Sequence, residues 1–367
     1  MSEIVRGVLG GGWGLLVGWI VPSLLNVIVL ISLLPRLARH LPPAGTGLAD
    51  TLGLALPAVL AAVVLGLLLA ALQTPLYRLL EGYLGWPSWL FTRARARQLR
   101  RKALLTDRIT LQRLAAEERA GHLPPGAADV LAALRAHPVV APYEARDGGP
   151  GTVRSALLNE RLRRFPVADD QVVATALGNA IRRLEEYGYD RYRLDSQVLW
   201  YELTGVTSEH SRDQVDRARA TVDFFVALLY GHLAVAVVLA AARLTGFADG
   251  AAPAYAAAVL VAAAPVWYRV AVTVTDEWAA AVRAMVNTGR QPLAEALALR
   301  LPATLAEERQ MWALTGKLAR LPYDAAGAAE LDRYRVNPEP DPGRGRGPEP
   351  DPESGTARSA WSSDPAR

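Results

Sequence analysis

Apolar positions along the chain gather into long uninterrupted runs, and the charged positions collect between them. Four of those runs, at residues 13–34, 52–72, 221–242 and 252–272, are long enough to cross a bilayer. Each approaches the roughly 20 residues that a helix needs to traverse about 30 Å of hydrocarbon. Backbone amides in lipid must be satisfied within the segment, so runs of this kind are helices. A bend is expected in the first at Pro22, which has no amide proton to donate, and residues 7–12 extend that run along the interface. The pattern predicts an all-α fold: a polytopic membrane protein with four transmembrane helices and a cytoplasmic helical region.

Between the two pairs of runs the periodicity changes. Residues 74–92 include PLYRLLEGYLGWPSWLF, with Tyr77, Tyr83, Trp86, Trp89 and Phe91 beside only two charges. Aromatic residues at this density belong at the headgroup level, where an apolar ring and a polar tip are both accommodated. An interfacial helix and turn is expected here, with Trp86, Trp89, Arg93, Arg95 and Arg97 at the lipid interface. A re-entrant element lining a pathway is the alternative.

Residues 93–220 show helical patterning at 96–118, 127–136 and 153–164. A further helix is expected from a cap at Asp169 or Asp170 to a stop at Tyr187 and Gly188. Its stripe would hold Val172, Val173, Ala176, Leu177, Ala180, Ile181 and Leu184. A short apolar piece, 198–201, follows, and from Glu209 a helix runs straight into the third span. Residues 274–335 carry a helical extension of the fourth span to about 300 and another helix at 303–321. Residues 336–367, rich in Pro, Gly, Glu and Arg, read as a disordered tail, because they cannot bury enough apolar surface to offset ordering.

Charge sets the orientation. Arg93, Arg95, Arg97, Arg100, Arg101 and Lys102 follow the second span, and Arg212, Arg217 and Arg219 precede the third. The short connectors hold only Arg36, Arg39 and Arg243. The positive-inside rule therefore places both termini and the central region in the cytoplasm of a multi-pass cell-membrane protein, with 1–73 and 221–273 as the two membrane pairs. The first run outlasts a signal-peptide core and reads as a retained anchor. All but two of the 40 basic residues are arginine, Lys102 and Lys317 being the others. Arginine grips phosphate bidentately, although a GC-rich genome produces the same bias. There is no cysteine, which excludes disulfides, thiolate nucleophiles and iron–sulfur ligation.

Motifs for chemistry are sparse. Gly10, Gly14 and Gly18 form a GxxxGxxxG face suited to helix packing, within the chain or between copies. Asn26, His232, Asp223 and Arg269 are the polar groups in or at the edges of the spans, of which Asn26, His232 and Arg269 are candidate intramembrane sites. His232 lies near mid-span, either facing a pathway or hydrogen-bonded to Asn26 or a backbone carbonyl as interhelical glue. No histidine spacing suits a metal, and no P-loop, GxSxG or HExxH occurs, so neither a cofactor nor a catalytic residue is assigned. Asp276 and Glu277 are the carboxylates placed for an enzyme acting on lipid. The basic cluster at 93–102 lies directly after a span, which favours anionic lipid over nucleic acid.

Residues 165–203 carry a Leu177-Gly178-Asn179 stretch, then Arg182 or Arg183, Glu185 or Glu186, Tyr192, Asp195 and Trp200. With the LLEGY piece at 79–83, this resembles a widespread group of uncharacterised bacterial, often actinobacterial, four-span membrane proteins. Tyr201 stands where that group has proline. The resemblance covers most of 75–240 and implies the four-span layout, while it carries no assignment of an activity. It sharpens one expectation: Asn179, Arg182, Glu185, Asp195 and Trp200 converge on a polar cluster beneath the membrane, as a hydrogen-bonded staple or a ligand site. The leading functional expectation is a non-enzymatic interaction or sensing module at the inner leaflet. Its partners would be anionic lipids, a cytoplasmic protein or a second copy of the chain. An oligomeric channel or transporter, and an enzyme on a lipid substrate, are the alternatives.

Overall fold

The computed structural model describes residues 12–34, 48–144, 152–320 and 328–336, the side chains of 48–55 and 328 excepted. Gly10 lies outside the described residues, as does the tail expected at 336–367 apart from Val336. Among the described residues the secondary structure is helical, with no strand and one isolated antiparallel bridge between Leu299 and Arg335. Three helices are long and apolar enough to cross a membrane: α1 (Gly12–Leu33) and the two long helices described below. A fourth span is reached if α2 (Leu48–Ala71) and α3 (Gln73–Glu81), which meet at 60°, count as one.

The scaffold is the pair α10 (Glu209–Leu244) and α11 (Ala252–Ala296). Ser208 caps α10 by accepting from the Ser211 amide, so the helix starts well before its apolar stretch and runs through it unbroken. α11 continues in the same way for 45 residues, from the apolar end of the molecule deep into the polar end.

α1 packs against α10 and α2. Its irregularity at Pro22 takes the form of a π-helical turn, Leu16–Ile20, closed by the Val21 amide on the Leu16 carbonyl. A π turn absorbs the register slip that a residue lacking an amide proton imposes. Two glycines allow the close approach. A Cβ on Gly18 would lie 2.9 Å from the Asp223 Cβ, and one on Gly231 only 2.2 Å from the Asn26 amide nitrogen. Gly14 has nothing within 4 Å, so of the expected glycine face Gly18 packs within the chain and Gly14 does not.

The polar end, called the head below, comprises helices α4 to α9 together with α12 and α13, assembled on the far half of α11. α4 (Ser88–Arg119) carries α5 (Ala127–Ala136) and α6 (Val153–Leu162). α7 (Ala176–Glu185), α8 (Tyr187–Tyr192) and α9 (Trp200–Val206) lie along α11, and α12 (Leu305–Leu318) and α13 (Ala328–Leu331) close the end. Trp312, Met311, Met285, Leu203 and Leu293 are fully buried in the core they share.

Two local expectations change. The aromatic segment is divided: α3 ends at Gly82, whose φ of +94° favours glycine, and Ser88 already begins α4, so Trp89 and Phe91 sit on the first turn of a long helix. The helix expected from Asp169 begins instead at Ala176. Thr175 is its cap, accepting from the Gly178 amide at 3.0 Å, while Val172 and Val173 are buried in an extended strap. Val172 and Val173 stand four residues before Ala176 and Leu177, which imitates a helical stripe, but a β-branched strap buries them equally well.

Candidate functional site

Asp223 is the most connected buried carboxylate among the described residues, with 6% of its surface exposed. Tyr77 donates its hydroxyl to Oδ1 at 2.6 Å, Gln73 Nε2 donates to the same oxygen at 3.2 Å, and the Trp19 side chain adds a further hydrogen bond. Arg219 Nε stands 4.0 Å from Oδ2. One carboxylate thus ties α1, α3 and α10 together. A buried carboxylate persists only when donors surround it, and here donors from three elements do so. Tyr230 adds a second tie, donating to the Leu76 carbonyl at 2.8 Å.

Beside this hub a cleft of about 230 Å³ lies between α3 and α7, lined by Glu81, Glu185, Arg78, Arg219 and Trp278. Burial, and then the neighbouring Glu185, push the Glu81 carboxyl up to about 7, against the opposing pull of Arg78. Burial raises Glu185 as well, with Arg182 opposing. The Trp278 indole nitrogen is buried with no hydrogen-bond partner.

A larger cavity, about 330 Å³, lies between α4, α6, α7 and α11. Arg101, Arg108, Arg161 and Arg164 line it, with Gln98 and Asn179 between them and Leu104, Leu105, Phe165 and Val272 as apolar wall. Arg164 is held by Asp276, with Nε 3.0 Å from both carboxylate oxygens, and by Glu160 at 2.7 Å. Arg108 lies over the Tyr143 ring at 4.1 Å.

The polar residues singled out from the sequence are placed as follows. Asn26 is fully buried and donates to the Pro22 carbonyl at 2.7 Å, while its Oδ1 has no partner. His232 Nδ1 instead accepts from Trp267 Nε1 at 2.7 Å, so the considered bond between Asn26 and His232 is replaced by these two separate contacts. The Arg269 side chain is exposed.

The five residues expected to converge are divided. Asn179 accepts from the Val173 amide at 2.8 Å and donates to the Val173 and Thr175 carbonyls, stapling the extended strap to α7. Arg182 holds Gln171 and pairs with Glu186 at 2.9 Å and Glu185 at 3.6 Å. Asp195 sits elsewhere, accepting from the Gln197 and Val198 amides and pairing with Arg320, and Trp200 packs on the head core.

Of the expected lipid-interface set, Trp89 is 68% exposed and Arg93 and Arg97 are exposed. Trp86 donates to the Leu79 carbonyl at 3.0 Å. Arg95 points inward and holds the strap by the carbonyls of Val172, Asp169 and Asp170. Sequence reasoning missed Gln73, Tyr77 and Trp19 as partners of Asp223, and Gln98 and Arg108 as cavity residues. Gln73, Tyr77 and Trp19 showed only as polar or aromatic residues in or beside an apolar run, and Gln98 and Arg108 only as further polar positions on a basic helix. Among the described residues no group of three or more His, Asp or Glu side chains is arranged to hold a metal. No protein-family model matches the sequence, and comparison with curated proteins and with solved structures finds no match.

Proposed function

We propose that the chain is a four-span cell-membrane protein with both termini in the cytoplasm, whose head is a non-enzymatic interaction or sensing module at the inner leaflet. In this reading α3 lies along the interface, outside the second span, which ends at Ala71. The observation that carries the reading is continuity. The head core is assembled on the same α11 that forms the fourth span, so whatever grips the head also grips a membrane helix. Exposed Tyr83, Leu84 and Trp89, followed by Arg93 and Arg97, support lipid contact at the inner leaflet.

Two observations weigh against the alternatives. Asn26 packs on Gly231 inside the bundle and His232 is engaged by Trp267, which leaves a pore reading short of free polar groups. Asp276 is held by Arg164, which leaves an enzyme reading with only Glu277 of the two carboxylates considered for it. Anionic lipids, a cytoplasmic protein and a second copy of the chain are the partners in this reading.

A photo-crosslinking residue placed at Tyr201, which is 86% exposed, tests the module in intact cells. A discrete adduct with a cytoplasmic protein or a second copy is the expected result. No adduct, with ion flux in proteoliposomes of the purified protein, would replace this reading by the channel. Phospholipid turnover in the same vesicles would replace it by the enzyme.

A further inference from the structure

Three features meet in the arginine-lined cavity of the head. The first is uncompensated charge. Asp276 and Glu160 are the carboxylates paired with its arginines, and both are on Arg164. Arg101, Arg108 and Arg161 line the same space with no carboxylate partner among the described residues, Arg108 being steadied by the Val139 carbonyl and the Tyr143 ring. The second is a pair of buried, unpartnered polar atoms: Gln98 Oε1, on a residue 8% exposed, and Arg108 Nε. One is an acceptor awaiting a donor and the other a donor awaiting an acceptor. Such atoms are normally paired, and both residues line the cavity, so a turn of either side chain would offer its unpaired atom to a ligand there. The third is the apolar wall of Leu104, Leu105, Phe165 and Val272.

We infer that this cavity binds a phosphate ester carrying a free hydroxyl. The guanidinium groups of Arg101, Arg108 and Arg161 take the phosphate oxygens, the hydroxyl donates to Gln98 Oε1 once that side chain turns into the cavity, and the carbon chain lies on the apolar wall. A cavity of about 330 Å³ is near the small end of those that hold small molecules, and a glycerophosphate group is of matching size. That chemistry has two sources, a phosphatidylglycerol headgroup or a soluble polyol phosphate. Val272, at the head end of the apolar stretch of α11, brings the cavity to the level where a headgroup lies. The inference rests on the inner-leaflet reading above and names the ligand class for that head.

The test uses the full chain in phosphatidylcholine nanodiscs, titrated with glycerol 3-phosphate by calorimetry. In parallel, phosphatidylglycerol-containing nanodiscs are assayed for lipid retained on the protein by native mass spectrometry. Binding in the first arm identifies a soluble ligand; retention in the second with none in the first identifies the lipid. Arg101→Gln with Arg161→Gln, both at exposed positions, should weaken whichever binding is seen by about tenfold or more. Gln98→Leu should erase the preference for glycerol 3-phosphate over methyl phosphate, or for phosphatidylglycerol over phosphatidic acid.

Binding of neither probe overturns the inference. So does binding that survives the double arginine variant but disappears in Arg93→Gln with Arg97→Gln, which would assign the anion to the surface belt. If the cavity binds nothing while the Tyr201 adduct persists, the ligand class fails and the module stands.

Discussion

The Tyr77 hydroxyl meets the Asp223 carboxylate at 2.6 Å, joining helices 146 positions apart in the chain. The phenol cannot be removed without leaving that buried carboxylate a donor short. Tyr77→Phe should therefore destabilise the protein by about 1–3 kcal/mol, read as a lower thermal midpoint in nanodiscs. Asp223→Asn in the Tyr77→Phe background should add less than it does alone, because the two residues share one interaction.

Gly231 and Gly14 make a matched pair for testing the helix contacts. A methyl at Gly231 collides with the Asn26 amide, so Gly231→Ala should lower stability by about 1–3 kcal/mol. Gly14→Ala meets open space and should leave the midpoint unchanged or slightly raised, since alanine favours a helix over glycine. A destabilising Gly14→Ala would place a second chain against that face.

The cleft between α3 and α7 predicts a pH dependence. Glu81 binds its proton more tightly folded, about 7, than the ordinary carboxyl at 4.5. The stability this supplies is complete below pH 4.5 and is lost as pH rises through 7. Glu81→Gln should flatten part of that decline in a melting series across the interval, leaving the smaller share owed to Glu185. A series as steep as the wild type would mean that Glu81 titrates normally.

Asn179 supplies three hydrogen bonds to the strap at 173–175. In Asn179→Ala the Val173 amide loses its acceptor, and its hydrogen exchange should quicken by on the order of tenfold, roughly 1.4 kcal/mol of lost protection. Unchanged exchange at Val173 would show that burial alone holds the strap.

The absence of cysteine makes a topology test clean, because a single introduced thiol is the sole target. Val153, 77% exposed on α6, becomes the probe in Val153→Cys. A membrane-impermeant maleimide should label it in inverted vesicles and spare it in intact cells. The opposite result would reverse the orientation.

The long helices were legible because apolar runs are local signals: the apolar stretches of α10 and α11 each stand in one piece of sequence. The turn into α7 was not, since Val172 and Val173 fit a helical stripe as well as a strap, and only the tertiary partner Arg95 decides between them. Arg95 itself reads as one more basic residue after a span. The hub was invisible for a different reason. Tyr77 and Asp223 each carry a plain local meaning, one an interfacial aromatic and the other a polar residue at a span's edge. Their pairing exists only once α1, α3 and α10 are packed. The cavity likewise draws on residues of four helices, and no window of sequence contains them.

α11 has a mechanical consequence. Its 45 residues make a rod about 68 Å long, more than twice the roughly 30 Å depth of hydrocarbon. In the four-span reading the rod is embedded at one end and loaded at the other, which makes it a lever. Helices lean as a bilayer thins, and a lean of about 10° would swing the far end sideways by about 6 Å, roughly half the diameter of a helix. Bilayer thickness would then be read out as displacement at Trp312 and its surroundings, far from any lipid.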